Sequence, residues 1–226
     1  MSHTLENNLQ LGNGIFTTSE IAEILQLPYQ KVRKWILQYW DGKLGSIYKK
    51  NYSWQIDNNR AVGFHTLIEF YVMMQFAERG IKVSAVLKAH NVLAEKFNTH
   101  FPFAHSEVVN NIHTDGYKIY IKSNGDLITL DGTEQLNLEF IKMFFKKLDF
   151  GNDCLATRFW PLGKKANVVC DPHHKFGQPV IKDTSIQTIA IYKMYQAEEP
   201  IKFIASIYDI SVKSVKDAVK FHQSAA

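Results

Sequence analysis

Two clusters of side chains in this sequence could do chemistry. The first is cationic. Between Tyr29 and Lys50 stand Lys31, Arg33, Lys34, Lys43, Lys49 and Lys50 against one acid, Asp41, a local charge of +5 in a chain whose formal net charge is +4. Ammonium and guanidinium groups crowded in this way suit phosphate oxygens, because neutralising them releases condensed counterions. Gln30 adds the paired donor and acceptor that can read an adenine edge. Gln30, Lys31, Arg33, Lys34, Lys49 and Lys50 are therefore the candidate DNA-contacting residues. The second cluster is Cys170, Asp171, His173 and His174. These are metal-ligand types, but a closed zinc site needs four ligands in proper geometry, and the other cysteine, Cys154, lies far back in the chain. The cluster reads as a polar turn with a small buried thiol, and no metal or cofactor is expected. Neither a nucleophile elbow, a P-loop, a dinucleotide fingerprint nor an H-E-x-x-H pair occurs, so no enzyme activity is expected.

The cationic residues need elements that present them. Phe16 to Trp40, FTTSEIAEILQLPYQKVRKWILQYW, reads as two short helices joined by a tight turn. Thr17 and Glu20 form a T-x-x-E capping box. Ile21, Ile24 and Leu25 recur at helical spacing, and Ala22 lets a second helix cross closely. Gln26 stands in the turn where such motifs often carry Gly, Leu27 is apolar inside it, and Pro28 suits the start of the next helix. Val32, Trp35, Ile36 and Tyr39 then share one face, which leaves the polar residues to face outward. This is the pattern of a helix-turn-helix, whose second helix can lie in a DNA major groove. The alternative is an ordinary helical hairpin with a solvated basic face.

Residues up to about Asn13 are expected to be disordered or loosely attached. Gly42 to Arg60, with a turn at Asn58-Asn59 and alternation in Ser53-Trp54-Gln55-Ile56, reads as a small β-wing. Thr66 and Glu69 suggest a second capping box, opening a helix that stops at Arg79-Gly80. Ser84 opens another helix through Phe97, on which Lys88 and His90 are expected to be solvated. Trp35, Tyr39, Trp40, Trp54 and Phe64 are read mainly as the core of a small winged domain, with base stacking as the competing role. The order helix-turn-helix, wing, long helix, helix, clearest in GFHTLIEFYVMMQFAERGIKVSAVLKAHNVL, resembles the MerR family of winged DNA-binding domains. That family has an Arg-Tyr pair in the wing; here Arg60 and Phe64 are the nearest equivalents.

Past Phe101-Pro102-Phe103-Ala104, the alternation in Tyr117–Lys122, the Asn124-Gly125 turn and Leu127–Leu130 read as a β-hairpin. A helix is expected from about Leu138 to Leu148. This segment is too small to bury its aromatics alone and should pack on a neighbouring domain or across a dimer. In the last unit Val168-Val169 and Val180-Ile181 are short strands, and Ile186 to Gln196 is a helix with Ile189, Tyr192 and Met194 for the core. Ile201 to Phe221 repeats the first motif. Ile204-Ala205, Tyr208, Ile210, Val215 and Ala218 match Ile21-Ala22, Leu25, Leu27, Val32 and Trp35 at one fixed offset, and Ser211 takes the place of Pro28 as a cap. Seven lysines against six acids from Asp171 to His222 leave this echo at +1, so the first unit is expected to meet DNA and the second a protein.

Asp171-Pro172 followed by Gly177-Gln178-Pro179-Val180-Ile181-Lys182-Asp183-Thr184-Ser185-Ile186 resembles the domain of unknown function 433 family, with Asp183 and Ser185 where that family has Gly and Arg. The resemblance implies an antitoxin of a type II toxin–antitoxin pair that blocks a PIN-like ribonuclease and represses its own operon. The alternative is a ligand-responsive MerR-like transcriptional regulator with no toxin partner, whose effector pocket lies in the middle segment.

The fold expected is mainly α with minor β. Residues 1–104 would form the winged helix-turn-helix, 105–157 the connecting hairpin and helix, and 158–226 the second helix-turn-helix-like domain. A hydrophobic content of 46% over 226 residues permits a sizeable core. No apolar run reaches the roughly 20 residues of a membrane span. The two cysteines form no C-x-x-C pair. A cytoplasmic homodimer bound to double-stranded DNA, away from any membrane, is the resulting expectation.

Overall fold

Helix α1 (Thr18–Leu25) begins where the capping box places it. The Thr17 hydroxyl accepts from the Glu20 N–H, and the Glu20 carboxylate accepts from the Thr17 N–H at 2.7 Å. It ends at Gln26, which takes a left-handed φ of 55° without being glycine. Pro28 then caps α2 (Tyr29–Lys34). The chain shown is a computed structural model that describes residues 12–49, 51–78, 80–110, 112–114, 119–123, 126–130 and 145–224, with side chains for those outside 109–144. It is mainly α with minor β. Among the described residues no helix is long and apolar enough to cross a membrane.

From α2 the helix continues with wider, π-helical winding over Trp35–Leu44 and closes with α3 (Gly45–Tyr48). Hydrogen bonds reaching five residues back suit apolar residues spaced four and five apart. Trp35, Ile36, Trp40 and Leu44 are all buried. The expected face is corrected here: Trp40, fully buried, fills the core, while Tyr39 is only half-buried.

A three-stranded antiparallel sheet stands beside these helices. Strand β1 (Phe16–Thr17) pairs with β3 (Asn59–Val62), which pairs with β2 (Ser53–Ile56). The hairpin turns at Asp57-Asn58, since Ile56 pairs with Asn59, one residue earlier than the expected Asn58-Asn59. Asp41 ties this hairpin to the helix. Its Oδ1 accepts from the N–H groups of Tyr52 (2.8 Å) and Ser53 (3.0 Å), and its Oδ2 from the Ser53 hydroxyl (2.6 Å) and Arg60 Nη1 (3.0 Å). Asn13, expected to be loosely attached, accepts from the Phe64 N–H through its carbonyl.

Helix α4 (Phe64–Glu78) is apolar nearly all round and buried along most of its length. The sequence suggested a cap at Thr66 and Glu69; instead both lie inside the helix and are buried. Glu69 accepts from the Phe103 N–H at 2.8 Å. Its other oxygen lies 2.7 Å from His90 Nε2, an ion-pair distance but out of line for a hydrogen bond. His90, on α5 (Val83–Lys96), is therefore not solvated: it is fully buried, edge-on to Trp40 and Phe103. The pair is a polar plug between α4, α5 and the short 3-10 turn at Pro102–Ala104.

After α6 (Ser106–Asn110), strands β4 (Ile112–Thr114), β5 (Ile119–Ser123) and β6 (Asp126–Leu130) form an antiparallel sheet that contains the expected hairpin. The Asn124-Gly125 turn and the expected helix as far as Phe144 lie outside the described residues. Leu148 is not the end of a helix. It opens β7 (Leu148–Phe150), which pairs with β8 (Ala156–Phe159).

Strands β9 (Val168–Val169) and β10 (Val180–Ile181) pair as the sequence implied, and three helices follow: α7 (Thr188–Gln196), α8 (Ile201–Ile207) and α9 (Val212–Ser224). On α7 the core residue is Ile191; Ile189 is 39% exposed rather than packed. The α8–α9 turn reproduces the α1–α2 turn bond for bond. Leu27 N–H donates to Ala22 (2.9 Å) as Ile210 N–H does to Ala205 (3.0 Å), and Asp209, with φ 51°, stands where Gln26 does. Ser211 caps α9 by accepting from the Ser214 N–H at 3.0 Å.

The two units share a core. Phe16, Phe64, Phe159, Cys170 and Phe221 belong to one buried cluster. His222 bonds Glu23 of α1 at 2.7 Å and Thr188 of α7 at 3.0 Å.

Two stability experiments follow. Glu69→Ala strands a buried imidazole and the Phe103 N–H, and should lower unfolding free energy by about 3 kcal/mol in urea titration. Glu69→Gln keeps an acceptor and should cost clearly less; equal tolerance of both would mean that the plug carries no stability. Asp41→Ala removes the acceptor of two hairpin N–H groups and should cost about 2 kcal/mol. Hydrogen exchange should accelerate first at Tyr52 and Ser53, and unchanged protection there would refute the anchoring role.

Candidate nucleic-acid interface

The exposed face of α2 carries the cationic residues that the sequence singled out. Gln30, Arg33 and Lys34 are exposed, as is Lys49, which ends α3 with a left-handed φ of 53°. Arg33 and Lys34 form no hydrogen bond or ion pair among the described residues, so their charges are available. Lys31 differs. It is half-buried, and its Nζ lies 5.3 Å from the centre of the Trp35 ring, in cation–π range. Lys43, also exposed, sits over Tyr39 at 5.6 Å. Lys50 lies outside the described residues.

The β2–β3 hairpin stands against this face. Between them runs a groove of about 310 Å³, lined by Tyr29, Arg33 and Leu37 on the helix side and by Gln55, Asn58 and Asn59 on the hairpin side. The hairpin thus contributes amides and Arg60 at the groove, and the helix contributes Arg33. Asp41, the one acid in the basic window, does not oppose them. Its carboxylate is 10% exposed, faces the hairpin and is neutralised by Arg60. The sequence offered a signal for this role that was passed over: a lone acid in a run of cations, followed within a few residues by aromatic and strand-forming positions.

Two expected wing residues are spoken for. Arg60 donates to Asp41 and to the Ser53 hydroxyl at 2.7 Å. Phe64 is fully buried, 6.3 Å from the Phe16 ring. Base stacking is ruled out for Trp35, Trp40 and Phe64, all of which are core residues, Trp40 edge-on to Phe70 at 4.7 Å.

The second unit presents a different surface. On α8, Phe203 is 45% exposed and Ile207, one turn on, 56%, and Val212 at the start of α9 is also exposed. Phe203 and Ile207 lie on one stripe of the helix. The equivalent position on α1 to Ile207 is Ile24, which is buried and lines a small pocket with residues of the second unit. The polar turn before β10 is built around Asp171. Arg158 Nε donates to its Oδ2 at 2.8 Å and the His173 N–H to its Oδ1 at 2.9 Å. Burial would lift this carboxyl, but those two hydrogen bonds, together with the charges of Arg158 and His174, outweigh it and hold the group below the usual carboxylate range. Cys170 is fully buried in the shared core, and burial pushes its thiol well up. His173 and His174 are exposed.

Comparison with known proteins places the second unit. Residues 168–222 match the family described as "Protein of unknown function (DUF433)". A curated Mycobacterium tuberculosis (strain ATCC 25618 / H37Rv) protein named "Putative antitoxin VapB45" is 21% identical over 170 residues, 69% of each chain. The crystal structure of Rv2018 from Mycobacterium tuberculosis superposes with a TM-score of 0.69 over 94% of this chain and 98% of that one, at 16% identity, a likeness of fold. The C-terminal part of the chain thus resembles the DUF433 family over residues 168–222.

Proposed function

We propose that the chain is a DNA-binding antitoxin: it represses its own operon through a MerR-like first unit and captures a PIN-like ribonuclease through its second. The observation that carries the DNA half is the unpaired cationic face of α2 beside an anchored hairpin. Arg33 and Lys34 reach phosphates, Gln30 a base edge, and Lys49, with Lys50 beyond it, adds charge at the flank. Lys31, drawn partly over Trp35, serves as a weaker contact. Support for the partner half is the likeness to the named antitoxin and the bare apolar stripe of α8, which suits a hydrophobic partner surface better than it suits water. Dimerisation would give the two-fold symmetry that a palindromic operator requires. In this reading the protein is not an enzyme, needs no cofactor and works in the cytoplasm.

Arg33→Ala with Lys34→Ala should lower affinity for the operator duplex at least tenfold in fluorescence anisotropy. Losing two phosphate contacts should also flatten the slope of log affinity against log salt by about 2. Unchanged affinity and slope would remove DNA from the assignment. Phe203→Ser with Ile207→Ser should abolish co-purification of the adjacent operon product while leaving DNA affinity intact. Capture of that product by the double variant would place its binding surface elsewhere.

A further inference from the structure

A cavity of about 410 Å³ opens on the second unit, away from the α2 face and from the α8 stripe. Its volume lies in the range of small-molecule sites. The floor is apolar: Trp160, Val169 and Val180 are buried and form a small cluster of their own. Its polar lining comes from Arg158 at the end of β8, His174 in the turn after Asp171, and Lys182 to Ser185 after β10.

Most of the polar groups here are already engaged, and those left over define the ligand. Asp171 is spent on Arg158 Nε, on the His173 N–H and on His174, whose Nδ1 lies 3.4 Å away. The Thr184 hydroxyl donates to the Ile181 carbonyl at 2.8 Å and accepts from the Ile186 N–H. Asp183 is 80% exposed, its carboxylate 3.9 Å from Lys182 Nζ. Arg158 is held only through Nε. Its Nη1 and Nη2 make no hydrogen bond among the described residues, so the two-pronged edge of the guanidinium remains open. A guanidinium fixed through Nε by one carboxylate presents that edge at a set angle, the geometry that grips a second oxyanion bidentately. Trp160 is fixed as well, its indole N–H donating to Asp149 at 2.8 Å.

We propose that this cavity binds a small organic oxyanion, a carboxylate or a phosphate ester, held by the open edge of Arg158 and by Lys182, with its apolar body on Trp160, Val169 and Val180. The site is independent of the DNA and toxin assignments. An organic body suits an apolar floor, and an anionic head suits the open edge of Arg158, whose Nη groups no lining carboxylate takes up.

The test uses the full chain, ¹⁵N-labelled, with the Trp160 indole and backbone resonances followed at constant ionic strength. Benzoate, phenyl phosphate and the neutral analogue benzyl alcohol are titrated in parallel. Saturable shifts at Trp160 and around residues 180–185 are expected with at least one anion, at least tenfold weaker with benzyl alcohol and with R158Q. The tighter of benzoate and phenyl phosphate identifies the headgroup class. Should R158Q fail to fold, K182Q, at the exposed rim, should weaken binding threefold or more. The absence of saturable shifts with either anion, equal binding of benzyl alcohol, or binding indifferent to the folded variants overturns the proposal.

Discussion

The joint on which the molecule depends is a phenyl ring lying on a glycine. Phe16 is fully buried, and its ring packs against Gly177 so closely that a Cβ there would run into it. Gly177 also has a φ of +86°, which L side chains rarely adopt. The contact joins the first strand to the turn before β10, and two hydrogen bonds reinforce it: Ile15 N–H donates to the Phe176 carbonyl, and the Gln178 side-chain amide Nε2 to the Ile15 carbonyl. Thr17, which caps α1, is the next residue along. The start of the first helical pair, and hence the direction of α2, is thus set by the DUF433-type unit about 160 residues later.

One turn geometry serves twice, with different surroundings. Gln26 and Asp209 both take left-handed φ, and the flanking hydrogen bonds agree residue for residue. Both pay the modest cost of a non-glycine in that region, polar residues being the ones that tolerate it. What differs is the outer face of the first helix of each pair. On α1, Ile24 is buried and lines a small pocket with Thr188, Ile189 and His222 of the second unit, and Glu23 bonds His222. On α8 Phe203 and Ile207 stay exposed, with no cover among the described residues. The repeat therefore closes on itself at one end and leaves an apolar end open, while unpaired cations sit on the end that is closed.

Legibility from sequence followed how local each cause was. The capping box at Thr17 and Glu20, the turn, the caps at Pro28 and Ser211, and the strands Val168-Val169 and Val180-Ile181 depend on neighbours a few residues apart, and each stands where the pattern put it. Solvation of Arg33 and Lys34 was legible for the same reason, since helical spacing separates them from Val32, Trp35 and Ile36. The Thr66–Glu69 cap was misread because the same spacing inside an apolar helix serves a distant partner, the Phe103 N–H, and nothing local announces it. Nothing near His90 in the sequence marks it as buried, because the Glu69 it faces lies on another helix. Tyr39 lost its place to Trp40 because the helix widens there, a change of period that a 3.6-residue template cannot register. The cavity beneath Arg158 was not legible at all, since it assembles residues from β8, the Asp171 turn and the segment after β10.

That assembly gives the turn from Asp171 to Gln178 two faces. At one end Asp171 and His174 line the cavity, Asp171 fixing the guanidinium by its Nε. At the other, Phe176 and Gln178 grip Ile15, with Phe16 wedged on Gly177. Only a few residues separate the two ends, and they include three consecutive left-handed φ values at Lys175, Phe176 and Gly177. A backbone so constrained has few ways to yield gradually, because neighbouring wells are separated by steric barriers. Displacement of Asp171 would therefore pass along a short, stiff path to the strand that starts the first helical pair. The turn is thus one physical link between the two halves, beside the shared core and the bond of His222 to Glu23.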